Sequence, residues 1–490
     1  ADFGTLVFDD IAGPGFRKNL QRAASGAKTV PTTRTRREMP APTNGESSEH
    51  TGLLSGTQNG GDRRKSSVRE LFFNTKHTPG MESRNTFVRV PATALNISKI
   101  TLYSNYVNIL LVFVPLGIIA GAMGWDPTTV FVLNFFAIVP LAAVLSFATE
   151  EISVKLGQTM GGLLNATFGN AVELIVSIVA LKKGEIRIVQ SSMLGSILSN
   201  ILLVLGCCFV AGGIHNTTAG TSEGIEQGFN STVASTMSSL MAVASASLII
   251  PATLFAALSG SHDDSAKNIL ILSHGTAIIL LILYILYLIF QLRTHAGLFD
   301  AENPGEDEEP EVAQMGPWAA ASVLIVTTVL VAVCAEYLVD SIDSIVQTAH
   351  ISKTFIGLIL LPIVGNAAEH VTAVVVALKD KMDLAMGVAI GSSMQIALLV
   401  TPFLVILGWI MDIPMTLHFE TFETVVFFLS VLVVTYVIQD GKSNYLEGAM
   451  LLGLYLIIAL AFLVYPDDAT DTGDAIPTMM VRSVKALVGY

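Results

Sequence analysis

The chain has 490 residues, of which 52% are hydrophobic and only 14% are charged. A soluble domain of this length could not bury so many long apolar runs, so the composition excludes a soluble protein and predicts a polytopic membrane protein. Three cysteines are too few for a disulfide framework.

The formal net charge of −13 is unevenly distributed. Residues 1–100 hold 15 basic and 9 acidic side chains, which leaves 12 basic and 31 acidic ones in the remainder. An acidic membrane body favours cation transport over an anion pathway, and we expect no nucleic-acid partner. Residues 1–98 lack sustained apolar periodicity, so we predict a disordered cytosolic tail there.

Eleven apolar runs follow the tail, and most reach the roughly 20 residues that cross a bilayer. They cover about 106–124, 128–147, 160–181, 190–212, 231–257, 268–292, 318–340, 352–378, 384–411, 417–438 and 443–465. Such runs must be helical, because lipid cannot satisfy an open sheet edge. The prediction is an all-α polytopic membrane protein with 11 transmembrane helices. Its parts are a leading helix at 106–124, a first five-helix repeat at 128–292, an acidic cytosolic linker at 293–317, a second five-helix repeat at 318–465 and a short C-terminal tail at 466–490.

An internal repeat relates the two halves. Gly-Asn-Ala-Val-Glu at 169–173 and Gly-Asn-Ala-Ala-Glu at 365–369 are offset by 196 positions, and the same offset pairs Gly195-Ser196 with Gly391-Ser392. The motifs lie five predicted spans apart, and five is odd, so the two helices cross the membrane in opposite directions. Inverted repeats of this kind are common in secondary transporters, whose substrate site lies near the midplane.

The basic tail precedes the first helix, so the positive-inside rule predicts a cytosolic N-terminus. One loop disagrees, because Lys182, Lys183 and Arg187 would then face away from the cytosol.

Glu173 and Glu369 are the principal candidate site residues, since a charged carboxylate at the bilayer centre costs about 2.5–3.5 kcal/mol on insertion scales. Helical spacing places an asparagine on the same face as each glutamate, and hydroxyl and amide side chains cluster on the helix that follows. The candidate cation ligands are Glu173, Glu369, Asn170, Asn366, Ser196, Ser392, Gln395 and Asn200.

All these ligands are hard oxygen donors, which suit Ca²⁺ better than the thiol- and imidazole-binding metals. A buried carboxylate without a cation is driven toward its protonated form by desolvation. Glu173 and Glu369 would therefore bind Ca²⁺ or protons in competition. Alternating access to such a site produces an exchanger; Ca²⁺ is its substrate, and no cofactor is expected.

The two motifs, together with Leu194–Asn200 and Gly391–Gln395, resemble the paired signature of the calcium/proton exchanger family, within the calcium/cation antiporter superfamily. The resemblance covers about residues 100–465 and is nearest to vacuolar members. It implies export of cytosolic Ca²⁺ into an acidic vacuole in exchange for protons, and some members also carry Mn²⁺. The family's essential acidic pair matches Glu173 and Glu369, and its supporting ligands match Asn170, Ser196, Asn366, Ser392 and Gln395.

Several alternatives remain. A Na⁺-driven calcium exchanger usually needs further Na⁺ ligands, and Ile396 occupies the position that matches Asn200. A Mn²⁺/H⁺ antiporter would use the same donors. An intramembrane metalloprotease would need His or paired Asp signatures, which the sequence lacks, so we expect no enzyme. Inverted repeats in one chain suit alternating access better than a channel. The sequence gives no prediction of oligomeric state.

Overall fold

The computed structural model describes residues 78–156, 158–218, 226–258, 265–299 and 313–465, and these are almost entirely helical. The helices are, in chain order, α1 Thr86–Ser104, α2 Phe113–Ala122, α3 Pro127–Leu156, α4 Gln158–Phe168, α5 Ala171–Lys182, α6 Ile186–Leu198, α7 Leu205–Thr218, α8 Ser231–Leu258, α9 Ser265–Ile289, α10 Ala296–Phe299, α11 Pro317–Asp340, α12 Ile342–Ala349, α13 Lys353–Phe355, α14 Leu361–Gly365, α15 Ala367–Leu378, α16 Met382–Gln395, α17 Thr401–Ile410, α18 Thr421–Val437 and α19 Tyr445–Leu463. A 3-10 turn at Tyr106–Val112 leads into α2, and π-helical turns lie at Ser199–Val204, Phe290–Thr294, Ile356–Leu360 and Ile396–Val400. Two short strands, β1 Gln227–Gly228 and β2 Lys442–Ser443, pair antiparallel.

Within the described ranges, seven helices are long and apolar enough to cross a membrane, or nine if each of two bent pairs forms one span. Two shorter apolar helices, α15 and α18, add to these. The predicted polytopic helical class is therefore confirmed, and every predicted apolar run coincides with helix. The acidic stretch at 300–312 and the C-terminal tail at 466–490 lie outside the described residues.

The prediction of a disordered tail through residue 98 is wrong at its C-terminal end. Helix α1 begins at Thr86, with the Asn85 side chain accepting the Phe87 N–H at its start. Ile100 of α1 packs against Met315 and Ala320 in a separate hydrophobic cluster. That long-range packing stabilises a segment whose local composition indicates disorder. The remainder of the predicted tail, residues 1–77, lies outside the described residues.

The two motif helices are broken at matching places. The first breaks between α4 and α5 at Gly169-Asn170, and the second between α14 and α15 at Asn366. The helices that follow also depart from regular geometry at matching places, through the π turns Ser199–Val204 and Ile396–Val400. Such turns are frequently found at functional sites.

Close backbone packing joins the halves at Gly195. A Cβ atom placed there would lie 2.1 Å from the carbonyl oxygen of Leu358, in the π turn that precedes α14. Only glycine allows helix α6 to approach the other half this closely, as small residues do in many membrane helix pairs.

The ends of the bundle have different contacts. At one end, which we call the linker end, the Glu151 carboxylate accepts backbone N–H groups of Gln314 and Met315 at 3.1 and 2.7 Å. At the other, which we call the opposite end, Lys183 at the end of α5 pairs with Asp340 at the end of α11.

Candidate cation site

Both glutamates lie in the first turn of a helix that begins at a break. Glu173 belongs to the first turn of α5, and Glu369 to the first turn of α15. The N-terminal turn of a helix carries partial positive charge from its unpaired N–H groups, which favours a carboxylate there. In both motifs, Gly-Asn directly precedes the short helix that carries the glutamate in its first turn.

Each glutamate lies against the glycine of the other motif. A Cβ atom built on Gly365 would be 2.8 Å from Glu173 Oε1. A Cβ atom on Gly169 would be 3.8 Å from Glu369 Oε1 and 3.7 Å from Gln395 Oε1. The motif glycines therefore make room for the carboxylates across the interface of the two halves.

Amide and hydroxyl groups connect the halves beside the carboxylates. Asn170 Nδ2 donates to Gln395 Oε1 at 2.7 Å, and Ser392 Oγ donates to Asn170 Oδ1 at 2.8 Å. Asn200 Nδ2 donates to Ser392 Oγ at 3.0 Å. Four of the eight predicted ligands thus form one hydrogen-bonded cluster. Ser196 lies apart from it, in a small cavity with Glu173.

Several buried polar atoms of the site have no hydrogen-bond partner among the described residues. They are Glu173 Oε1, Glu369 Oε2 and both side-chain polar atoms of Asn366. Asn366 is fully buried. Buried polar groups are normally paired, so a concentration of unpaired polar atoms, three of them oxygens, indicates a site that binds an ion or protons.

The donor set is mixed rather than purely acidic. Among the described residues, no group of three or more His, Cys, Asp or Glu side chains is placed to hold a metal. Two carboxylates must therefore be supplemented by amide, hydroxyl or backbone oxygens, which are donors that Ca²⁺ accepts in sixfold to eightfold coordination.

A large cavity reaches the site from the linker end. Its volume is about 960 Å³. Its lining includes Glu150, Asn165, Gln291, Glu369, Asp383 and Gln395. On the other side, Glu173 borders a cavity of only about 20 Å³. The structure is therefore open from the linker end and closed toward the opposite end.

Ion pairs join the two halves at the opposite end. Arg187 pairs with Glu423 at 2.8 Å and with Glu420 at 3.0 Å, and Lys353 pairs with Glu185 at 3.0 Å. Lys183 and Arg187, two of the three cations that disagree with the positive-inside rule, are thus paired with acids of the second half. A cation that is paired with an acid contributes less to the positive-inside preference than an unpaired cation would.

Sequence reasoning missed two contributors to this arrangement. Arg187 was interpreted only as loop charge, and its partner Glu423 lies 236 positions away. Ser192 lines the small cavity. Ser192 had a signal that could have identified it, since it lies one helical turn before Ser196 in an apolar run.

Comparison with known proteins identifies the family of this chain. The model of the family described as sodium/calcium exchanger protein matches residues 127–293 and 319–464, well over half of the chain. The chain belongs to this family. The vacuolar calcium ion transporter of Schizosaccharomyces pombe is 52% identical over 76% of this chain and 88% of its own length. The Ca²⁺/H⁺ antiporter of a Synechocystis species is 45% identical over 73% of this chain and 97% of its own length.

A solved structure of the Ca²⁺/H⁺ antiporter protein YfkE superposes with a TM-score of 0.60 at 36% identity, covering 73% of this chain and 98% of that one. The resemblance inferred from the two motifs is thereby confirmed. The ranges matched by the family model contain both Gly-Asn-Ala-x-Glu segments and nearly all of the two predicted five-helix repeats.

Proposed function

We propose that this protein exchanges Ca²⁺ for H⁺ across the membrane of an acidic organelle, exporting cytosolic Ca²⁺ into a vacuole. The observation that carries the proposal is the pair of carboxylates, Glu173 and Glu369, each set at a helix break against the glycine of the other half. The names of the relatives in S. pombe and Synechocystis support the same activity.

The proposed architecture is a leading helix followed by two inverted five-helix repeats, giving 11 spans. The linker end faces the cytosol, and the N-terminus lies on the same side. Pairing of Lys183 and Arg187 with acids of the second half supports this orientation, because it accounts for two of the three cations in the loop that disagrees with the charge rule. The large cavity then admits Ca²⁺ from the cytosol.

In the proposed cycle, Ca²⁺ enters the large cavity and binds between Glu369 and Glu173, displacing their protons. Asn366 supplies an amide oxygen, and Asn170, Asn200, Ser196, Ser392 and Gln395 complete or position the donor set. The halves then rearrange to open the opposite end. Lumenal protons displace Ca²⁺ there, and the protonated site returns. Because the site holds either the cation or the protons, neither crosses without the other.

The driving force is adequate. Moving Ca²⁺ against an approximately 10⁴-fold gradient costs about 5.5 kcal/mol. Two protons descending about two pH units release a similar amount, at about 1.4 kcal/mol per proton per unit. A two-for-one exchange is electroneutral, so the membrane potential would neither assist nor oppose it.

Two other ions are alternatives to the proposed substrates, Mn²⁺ in place of Ca²⁺ and Na⁺ in place of H⁺. Mn²⁺ accepts the same oxygen donors. Na⁺ in place of H⁺ is suggested by the family description, which names sodium, but Ile396 offers no ligand where Asn200 stands in the first half. Competition by Mn²⁺ and substitution of a Na⁺ gradient for the pH gradient are therefore included in the test.

The test is ⁴⁵Ca²⁺ uptake into proteoliposomes with an imposed pH gradient. We expect gradient-dependent uptake that falls by about 10²-fold or more in Glu173→Gln and in Glu369→Gln, since each removes a charge that both substrates require. Glu336→Gln is the matched control, because Glu336 is an exposed carboxylate of α11 outside the site. Uptake that ignores the pH gradient and follows a Na⁺ gradient would replace the proposal with sodium-driven exchange.

A further inference from the structure

Helix α1 turns polar side chains toward the protein and apolar side chains outward. Asn96 and Lys99 are buried, and Asn96 Oδ1 accepts the Thr78 hydroxyl at 2.8 Å. Phe87, in contrast, is 90% exposed among the described residues, and Leu95 is exposed as well. A helix at a water-facing surface has the reverse pattern, with its apolar side chains toward the core. The pattern of α1 therefore indicates that its outer face does not lie against water.

The outer face of α1 is a continuous apolar surface. Phe87, Pro91, Leu95 and Leu102 recur at helical intervals, which places them on one side of the helix. From position 90 onward the exposed residues of α1 are all uncharged, and they are Val90, Pro91, Ala94, Leu95, Ser98, Leu102 and Tyr103. Such a surface is typical of a helix face that contacts lipid.

The helix is held across the first predicted span rather than in line with it. The chain turns by 118° between α1 and the segment Tyr106–Ala122, which begins that span. Asn108 is fully buried and fixes the corner, because its Nδ2 donates to the Thr101 carbonyl at 2.7 Å and to Ser104 Oγ at 3.1 Å. Helix α1 consequently lies closer to the membrane plane than to the membrane normal.

The neighbours of α1 lie at the level where apolar sequence meets charge. The hydrophobic cluster around Ile100 includes Ile152 of α3 and Ala320 of α11. The apolar sequence of α3 gives way to charge at Glu150-Glu151, and that of α11 begins beside Trp318, which is exposed. Tryptophan is enriched at membrane–water interfaces. Both neighbours therefore place α1 at the boundary of the bilayer, at the linker end of the bundle.

The side chains at the ends of α1 suit phospholipid headgroups. Phe87, Tyr103 and Tyr106 are exposed there, and aromatic rings collect at headgroup level. Arg84 and Arg89 are exposed at the beginning of the helix. Arg89 lies about 200° around the axis from Phe87, away from the apolar face. Helix α1, described throughout, contains no acidic residue, so its charge is complementary to headgroup phosphates.

We propose that α1 is an interface helix that lies in the surface of the bilayer at the linker end. Its outer face, with Phe87, Leu95 and Leu102, contacts the acyl chains, and Arg84 and Arg89 contact headgroup phosphates. The partner is thus the phospholipid bilayer itself, which the chain meets before its first predicted span. This inference is independent of the transported ion and of the direction of transport.

The experiment reads the surroundings of a single tryptophan in the full chain, reconstituted in phosphatidylcholine vesicles. The natural tryptophans are first removed by the substitutions Trp125→Phe, Trp318→Phe and Trp409→Phe. Leu95→Trp and Leu102→Trp then report separately on the outer face, so that either can replace the other if one fails to fold. Val329→Trp, exposed at the middle of α11, is the lipid control. Lys442→Trp, in an exposed ion pair of β2, is the water control.

Two kinds of quencher are compared, iodide on both sides of the membrane and phosphatidylcholine brominated on its acyl chains. We expect lipid brominated near the headgroup to quench Leu95→Trp and Leu102→Trp about threefold or more above Lys442→Trp, because an interface helix inserts its apolar face at that depth. Iodide should quench them less than Lys442→Trp. Lipid brominated near the chain end should instead quench Val329→Trp most.

Three results would overturn the proposal. Quenching of the α1 probes by iodide and not by brominated lipid would place the outer face in water. Protection from both quenchers would show that protein covers the face, either residues 1–77 or another chain. Stronger quenching of the α1 probes by lipid brominated near the chain end than by lipid brominated near the headgroup would place α1 inside the bilayer core rather than at its surface.

Discussion

The two halves supply matching residues to one candidate site but hold them differently. Asn170 of the first half is fully engaged with Gln395 and Ser392, whereas its counterpart Asn366 has no partner for either side-chain polar atom among the described residues. Glu369 borders the large cavity, and Glu173 borders the small one. Duplicated sequence therefore does not give duplicated environments, because a conformation open at one end must treat the halves unequally.

Under the proposed function, this asymmetry is what one state of a two-state cycle would have. A symmetric site would be equally open or equally closed to both ends, and it would either leak or trap its ion. The structure thus represents a cytosol-facing state under the proposed orientation. Variants that affect one half more than the other can test the comparison.

The largest expected difference concerns the paired glycines Gly195 and Gly391. A Cβ atom at Gly195 would lie 2.1 Å from the Leu358 carbonyl oxygen, whereas one at Gly391 meets nothing within 4 Å. We expect Gly195→Ala to destabilise the protein by about 3 kcal/mol, because backbone must move, and Gly391→Ala to leave stability nearly unchanged. Thermal unfolding in detergent measures both. Equal melting temperatures for the two variants would show that the halves do not approach as described.

A smaller effect is expected at the ion pairs of the opposite end. Arg187→Gln leaves Glu423, whose side chain is fully buried, without its cation. The expected loss of stability is about 1–3 kcal/mol, measured by thermal unfolding. Lys442→Gln is the control, since Lys442 and Glu226 form an exposed pair worth about 0–1 kcal/mol. Similar losses in the two variants would contradict a special role for the Arg187 network in closing this end.

The third prediction compares accessibility rather than stability. Thr372 lines the large cavity, and its repeat counterpart Val176 lines the small one. In a background with Cys207, Cys208 and Cys334 replaced, Thr372→Cys should react with a water-soluble thiol reagent about tenfold or more faster than Val176→Cys, because thiolate attack requires access. Labelling kinetics followed by mass spectrometry give the ratio. Faster labelling at Val176→Cys would mean that the opposite end is the open one.

Much of this arrangement could be predicted from the sequence. The apolar runs gave the helices, because lipid permits no other backbone structure for them. The fixed offset predicted the repeat, whose inverted five-helix layout remains a prediction, and the energetic cost of burying charge drew attention to Glu173 and Glu369. Their role in binding remains a prediction.

The remaining features depend on contacts between distant segments. No local pattern indicates that Gly365 receives the Glu173 carboxylate, or that Arg187 meets Glu423. Helix α1 was missed for the same reason, since its apolar residues pack on Met315 and Ala320 far along the chain. The unequal cavities also escaped prediction, because one sequence serves both states of the proposed cycle and only a particular conformation distinguishes them.

The position of each motif glutamate beside the glycine of the other motif bears on how the molecule arose. Each carboxylate lies against the glycine of the other half, so neither half alone contains the complete candidate site. Under the proposed inverted-repeat architecture, an ancestral unit of this kind would have worked only as an antiparallel pair of identical subunits. Fusion of two such copies would have let them diverge, and that divergence would account for Ser177 and Ser192 in the first half where the second half has Ala373 and Val388.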